Sequence, residues 1–263
     1  MSSTRVRGTL VMLSVAACTL VTVLLQAGQA RAGIVVDDFE SFTAGQNIHG
    51  VNGWSVLSYD DQLAQVDPTD SDNMVLAVYN NLSNIYKGVL VPNSTTKAEL
   101  FFRFYVPGGK TPDVTIQLTD VVAPSDGSHG CTVFRVASTN LQVHDVGWRD
   151  VGSIATGIWY SVTLDISNPA DTFEAFIQGG TFTEKTQLGY GSPLDTVFNF
   201  RHAAGANDLV NFFIRTNAAH AGDTILVDDV QVTLIPEPSG LMLALIGLAA
   251  LVGWRRRRLA ETP

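Results

Sequence analysis

Between residues 33 and 235 apolar and polar residues alternate with a period of two. Val114, Ile116 and Leu118 interleave with Thr115, Gln117 and Thr119, and Ile158, Tyr160, Val162, Leu164 and Ile166 interleave with Ser161, Thr163 and Asp165. Leu100, Phe102, Phe104 and Val106 fall on one face, as do Val210, Phe212 and Ile214. A two-residue period dominated by β-branched and aromatic side chains predicts half-buried strands. Between these runs lie Pro107-Gly108-Gly109, Pro124-Ser125-Asp126-Gly127, Asn168-Pro169, Gly179-Gly180 and Gly189-Tyr190-Gly191-Ser192-Pro193. Such segments form turns at strand-length intervals. At least ten strands and no long helix are expected, an all-β, two-sheet sandwich of jelly-roll type.

The two ends depart from this pattern. Arg5 and Arg7 precede the apolar run Gly8–Leu25, and Ala30-Arg31-Ala32 follows with small residues at alternate positions. This is the layout of a secretory signal over residues 1–32, predicted as a helix with cleavage after Ala32. The alternatives are a retained anchor and, from Val15-Ala16-Ala17-Cys18, a lipoprotein box. Toward the other end, Leu241–Trp254 is apolar and uncharged, and Arg255, Arg256, Arg257 and Arg258 follow directly. As a helix that run reaches roughly 21 Å against a hydrocarbon core of about 30 Å, a marginal span. Arginines beside an apolar segment stay cytoplasmic, so both ends are expected inside and the intervening residues outside.

Ile235-Pro236-Glu237-Pro238-Ser239, then an apolar helix, then an arginine cluster, resembles the PEP-CTERM sorting signal. The resemblance covers residues 235–258, leaving 259–263 as a short polar end. It implies processing by an exosortase near Pro236, Glu237 and Pro238, transient inner-membrane anchoring, and delivery to the surface or extracellular matrix of a Gram-negative-type bacterium.

The domain at 33–234 is acidic. Residues 33–235 hold 9 Lys and Arg against 23 Asp and Glu, a net charge of −14. This argues against nucleic acid as a partner, because phosphates would be repelled. Cys131 is the only cysteine left after signal removal, so no intrachain disulfide is expected.

Val36-Asp37-Asp38-Phe39-Glu40 opens the domain and Ile225-Leu226-Val227-Asp228-Asp229-Val230 closes it. Together with the central Gly157–Asp165 strand they resemble concanavalin-like and carbohydrate-binding-module jelly rolls. That resemblance implies first and last strands side by side with a structural Ca²⁺ between them. By alternation Asp228 shares a face with Leu226, Val230 and Val232, where an unpaired carboxylate is costly. Glu40 and Asp228, with Asp38, are the expected ligands. The alternatives are solvated acids at a sheet edge, or hydrogen bonds to loop amides.

Trp54, Tyr59, Tyr79, Tyr86, Trp148 and Tyr190 are candidates for stacking on sugar rings. Trp148 and Tyr190 lie beside loops and are the expected platforms, whereas Trp159 is expected in the core. The five histidines show no metal-ligand spacing, and His144-Asp145 has no accompanying G-x-S-x-G. Within the domain Glu is restricted to Glu40, Glu99, Glu174 and Glu184, with no E-x-D-x-E or E-x-D-x-x-E strand. The expected function is therefore non-catalytic: an exported surface or matrix protein associated with extracellular polysaccharide. The rivals are a polysaccharide hydrolase or lyase with an unrecognised site, and a purely structural surface protein.

Overall fold

A computed structural model describes residues 32–57, 62–94, 97–124, 129–216 and 223–235. The expected signal helix, Tyr59, and the sorting-tail residues Pro236, Glu237, Pro238 and Arg255 to Arg258 lie outside them. The described strands are β1 (Ala32–Asp37), β2 (Trp54–Leu57), β3 (Leu63–Val66), β4 (Met74–Tyr79), β5 (Asn84–Val91), β6 (Ala98–Tyr105), β7 (Asp113–Thr119) and β8 (Gly130–Ala137). They continue as β9 (Asn140–His144), β10 (Trp148–Ser153), β11 (Trp159–Ser167), β12 (Thr172–Gly179), β13 (Phe182–Gln187), β14 (Phe198–Asn199), β15 (Leu209–Thr216) and β16 (Thr224–Leu234). One sheet has nine strands, in the order β13-β12-β11-β6-β16-β4-β3 with β1 on β16 and β14 on β12. The other has seven, β10-β9-β8-β7-β15-β5-β2. Every strand pair is antiparallel, and the chain is an all-β jelly-roll sandwich.

Alternation sorts the side chains. On β6, Ala98, Leu100, Phe102 and Phe104 are buried, while Glu99, Phe101, Arg103 and Tyr105 between them are half-buried. Tyr160, Val162, Leu164 and Ile166 of β11 join that core, as do Val114, Ile116, Leu118, Phe212 and Ile214 of the second sheet. Phe134 of β8 meets Phe102 and Phe104 of β6, with ring centroids 5.9 and 6.3 Å apart, and so ties the two sheets together. Full burial of such a side chain is worth about 1.5–3 kcal/mol. Cys131 is buried in the core as a small apolar residue, and burial pushes its thiol up to about 12.

Asp37 makes a second tie between the layers, one the sequence did not announce. It ends β1 in the first sheet and is buried. Its carboxylate accepts from the Trp54 indole N–H at 2.7 Å and from Lys87 Nζ at 2.8 Å, both in the second sheet, and from the Phe39 amide at 2.9 Å. A carboxylate removed from water needs this kind of partnership.

Three expectations need correction. The first and last strands do pair, with Ala32 opposite Leu234, but β16 does not keep one parity. Its register against β6 shifts between Asp228 and Gln231, and Asp229 adopts a left-handed conformation with φ 51°. The extra residue of this bulge turns the following side chains over. Val227, Val230 and Val232 therefore all enter the core, whereas Leu226 packs on the outside with Val75 and Ala77. Asp228 thus does not share a face with Val230 and Val232. Second, Trp159 packs against that outer cluster and not in the core, because its neighbour Tyr160 is the inward residue. Third, Ile158 precedes the strand and is exposed.

Candidate functional site

Two regions gather polar side chains on the outer faces of the sheets. The first surrounds the β16 bulge. Asp228 is 1% exposed, although it points away from the core. Its Oδ2 accepts from Asn73 Nδ2 at 3.1 Å and lies 3.6 Å from Arg103 Nη1; its Oδ1 accepts from the Asp229 amide at 2.8 Å. Burial raises the Asp228 carboxyl to about 6, and the charge of Asp229 adds to this, while Asn73 and Arg103 act in the other direction. Arg103 also pairs with Asp229 at 3.1 Å and lies over the Trp159 ring, 4.8 Å from its centroid. The loop between β3 and β4 supplies the cover. Asp67 accepts from the amide and hydroxyl of Thr69, from Asn73 Nδ2 and from the Trp159 indole N–H. Burial opposes ionisation of Asp67, but these donors together hold its carboxyl below the usual range.

The expected calcium ligands fall around this network. Glu40 Oε1 accepts from the Met74 amide at 3.1 Å, while Asp228 accepts from Asn73, so the two acids reach consecutive residues at the start of β4. Asp38 is exposed, and its carboxylate caps the Glu40 amide at 3.3 Å. Among the described residues no three His, Cys, Asp or Glu side chains group as a metal site. Calcium requires 6–8 oxygen ligands. The three acids do not assemble such a shell here, and Arg103 supplies positive charge beside Asp228.

The second region crosses the outer face of the seven-stranded sheet. Strand register lines up Asn84 of β5, Arg215 of β15, Thr115 of β7, Arg135 of β8, Gln142 of β9 and Asp150 of β10 in one transverse row. They share the outer face because Ile214, Val114, Phe134 and Leu141 beside them fill the core. Six strands at about 4.8 Å spacing make the row about 24 Å long. Arg135 grips Asp113 with two hydrogen bonds of 2.7 Å and donates to Gln142 at 3.0 Å; Gln142 donates to Asp150 at 2.8 Å. Trp148 is 39% exposed beside the row, with the Arg135 guanidinium 4.7 Å from its ring centroid and His144 edge-on at 5.4 Å. Asp113, Thr115, Arg135, Trp148, Arg201 and Arg215 line a cleft of about 240 Å³. Arg201 arrives from outside the sheet, its amide bonded to the Cys131 carbonyl at 3.0 Å. Burial, with the charge of Arg201, lowers the His144 pKa.

The structure sets Trp148 at an open cleft and commits the Tyr190 hydroxyl to a partner within the fold. The Tyr190 hydroxyl donates to Asp145, which is 4% exposed and also accepts from the Asn199 amide and side chain. Its ring stacks on Phe198 at 6.2 Å and carries the Arg149 guanidinium at 5.0 Å. His129 and His202 meet edge-on, and His202 lies 3.8 Å from Asp120. The arginines of the cleft escaped sequence reasoning because they come from three distant segments with no shared spacing.

No protein-family model and no curated protein matches this sequence. Similarity appears in the fold. A sialidase structure superposes with a TM-score of 0.51 and 10% identity over 76% of this chain, which corresponds to 18% of the sialidase chain. A protein of unknown function from Shewanella oneidensis MR-1 superposes with a TM-score of 0.51 and 18% identity, over 78% of this chain and 86% of that one. The catalytic domain of a glycoside hydrolase family 131 protein from Coprinopsis cinerea gives a TM-score of 0.50 and 12% identity, over 78% of this chain and 95% of that domain. At these identities the shared property is the jelly-roll fold.

Proposed function

We propose that this chain is an exported surface or matrix protein whose β-sandwich binds carbohydrate without cleaving it. The observation that carries this reading is the transverse polar row on the seven-stranded sheet with Trp148 exposed beside it. Sugars offer hydroxyls to charged and amide side chains and an apolar C–H face to an indole. A row that crosses the strands presents both along an extended track. The jelly-roll fold, shared with a glycoside hydrolase catalytic domain, is compatible with carbohydrate as the ligand class. Glycoside hydrolysis needs two carboxyl groups across the bond, about 5–5.5 or 6.5–9.5 Å apart. The acid lining the cleft, Asp113, is instead locked in a two-point pair with Arg135, an arrangement that suits binding.

The address follows from the sequence: an N-terminal secretory signal and a PEP-CTERM-like tail, processed by an exosortase at Pro236-Glu237-Pro238. A glycan array probed with the full-length protein tests the binding reading. Retention on extracellular polysaccharides, lost in Trp148→Ala, is the expected result. Release of reducing ends during incubation would favour the hydrolase rival, and an empty array the purely structural one.

A further inference from the structure

We infer that the cleft beside Trp148 recognises a single anionic sugar, carried on an otherwise largely neutral glycan. This deepens the carbohydrate reading above and rests on it. Residues 33–235 contain five arginines, Arg103, Arg135, Arg149, Arg201 and Arg215, in a segment of net charge −14. Three of the five, Arg135, Arg201 and Arg215, line this one cleft, with Asp113 as its acid. That concentration runs against the charge of the whole domain. Arg135 is neutralised by Asp113 at 2.7 Å. The Arg215 guanidinium has no carboxylate within ion-pair distance among the described residues. Its planar fork matches a carboxylate with two parallel hydrogen bonds. Trp148, next to Arg135 on the cleft wall, supplies the surface on which the sugar ring lies.

Size and field narrow the ligand further. The cleft holds about 240 Å³, below the roughly 300–1,000 Å³ of drug-sized sites. One ring enters it, and its neighbours extend along the row through Thr115, Gln142 and Asp150. A ligand charged at every residue would be repelled by the acidic body of the domain. An isolated acidic residue meets only the local positive field.

Cellobiouronate and cellobiose test this, since they differ by one carboxylate in place of a hydroxymethyl group. Calorimetric titration of the full-length protein at low salt is expected to show at least tenfold tighter binding of cellobiouronate, with the preference shrinking as salt rises. Arg215→Gln is expected to erase the preference, costing cellobiouronate affinity far more than cellobiose affinity, with the circular-dichroism melt in place, and Arg201→Gln to reduce it. Trp148→Ala should weaken both sugars together. Glucuronate against glucose 6-sulfate separates a carboxylate from a sulfate ester as the source of the charge. Equal binding of the two disaccharides, or a preference that survives Arg215→Gln, overturns this inference and leaves the carbohydrate reading standing. Binding of neither disaccharide, with an empty glycan array, removes both. Stronger competition by a single-stranded oligonucleotide than by cellobiouronate also overturns it.

Discussion

The outer faces of the two sheets solve opposite electrostatic problems. At the β16 bulge of the nine-stranded sheet, three aspartates, Asp67, Asp228 and Asp229, gather around one cation, Arg103. The excess is negative, and the protein closes it over with Asn73, Thr69 and the Trp159 indole until Asp228 is out of water. On the seven-stranded sheet three arginines line one open cleft with a single acid, Asp113, which pairs with Arg135; among the described residues Arg215 has no carboxylate within ion-pair distance. Burying an internal charge cluster is a stability device with a cost. Leaving an opposite one unfilled is, on the proposed reading, a binding device.

The sharpest way to break this contrast is pH. The unfolded Asp228 carboxyl releases its proton near 3.8 and the folded one near 6. The folded state therefore holds the proton longer, and stability falls as pH rises from about 4 to about 6. The loss at that one residue amounts to about 3 kcal/mol. Urea unfolding across this range should show the fall, and Asp228→Asn should flatten it. Asp67 and Asp145 lie below their usual values, so their contribution is lost only as pH drops beneath about 4, outside this window. Calcium should leave the profile unchanged, because Arg103 and Asn73 already attend Asp228. A calcium-dependent flattening would instead place the expected ion at Glu40 and Asp228.

A smaller effect comes from Arg103→Met. Breaking a buried ion pair by removing one partner costs about 3–5 kcal/mol, and the Arg103 side chain is 30% exposed, so about 2 kcal/mol at pH 7 is the expected loss by thermal unfolding. At pH 5, where Asp228 keeps its proton, the loss should shrink. Equal losses at both pH values would mean that Arg103 acts through packing on Trp159. The smallest expected effect is Arg215→Gln on the other sheet: within about 0.5 kcal/mol of wild type, since this half-buried side chain makes no ion pair among the described residues. A large destabilisation there would make the cleft arginine structural and erase the distinction between the two faces.

Alternation alone placed β6, β7, β11 and most of β15, because a half-buried strand writes its environment into every second residue. It failed where a strand gains a residue. At the β16 bulge nothing local marks the change of parity except an Asp-Asp pair, of which Asp229 takes the left-handed conformation that aspartate tolerates. At the start of β15 the register shifts between Leu209 and Asn211, so Leu209 enters the core where Val210 was expected. Trp148 was visible as a loop-flanked aromatic. Tyr190 read the same way, because its partner Asp145 is far away in sequence and only the fold brings them together. The arginine cleft was invisible for the same reason. Cross-strand register assembles it from β8, β15 and the segment carrying Arg201.

The pairing of Ala32 with Leu234 has a mechanical consequence. Because β1 and β16 run antiparallel with these residues opposite each other, a pull applied at both would open their hydrogen bonds one after another, as a zipper opens. A pull on only one of them would be carried by the neighbouring strands of the sheet. Resistance to force would then depend on whether the load enters through one end of this strand pair or both.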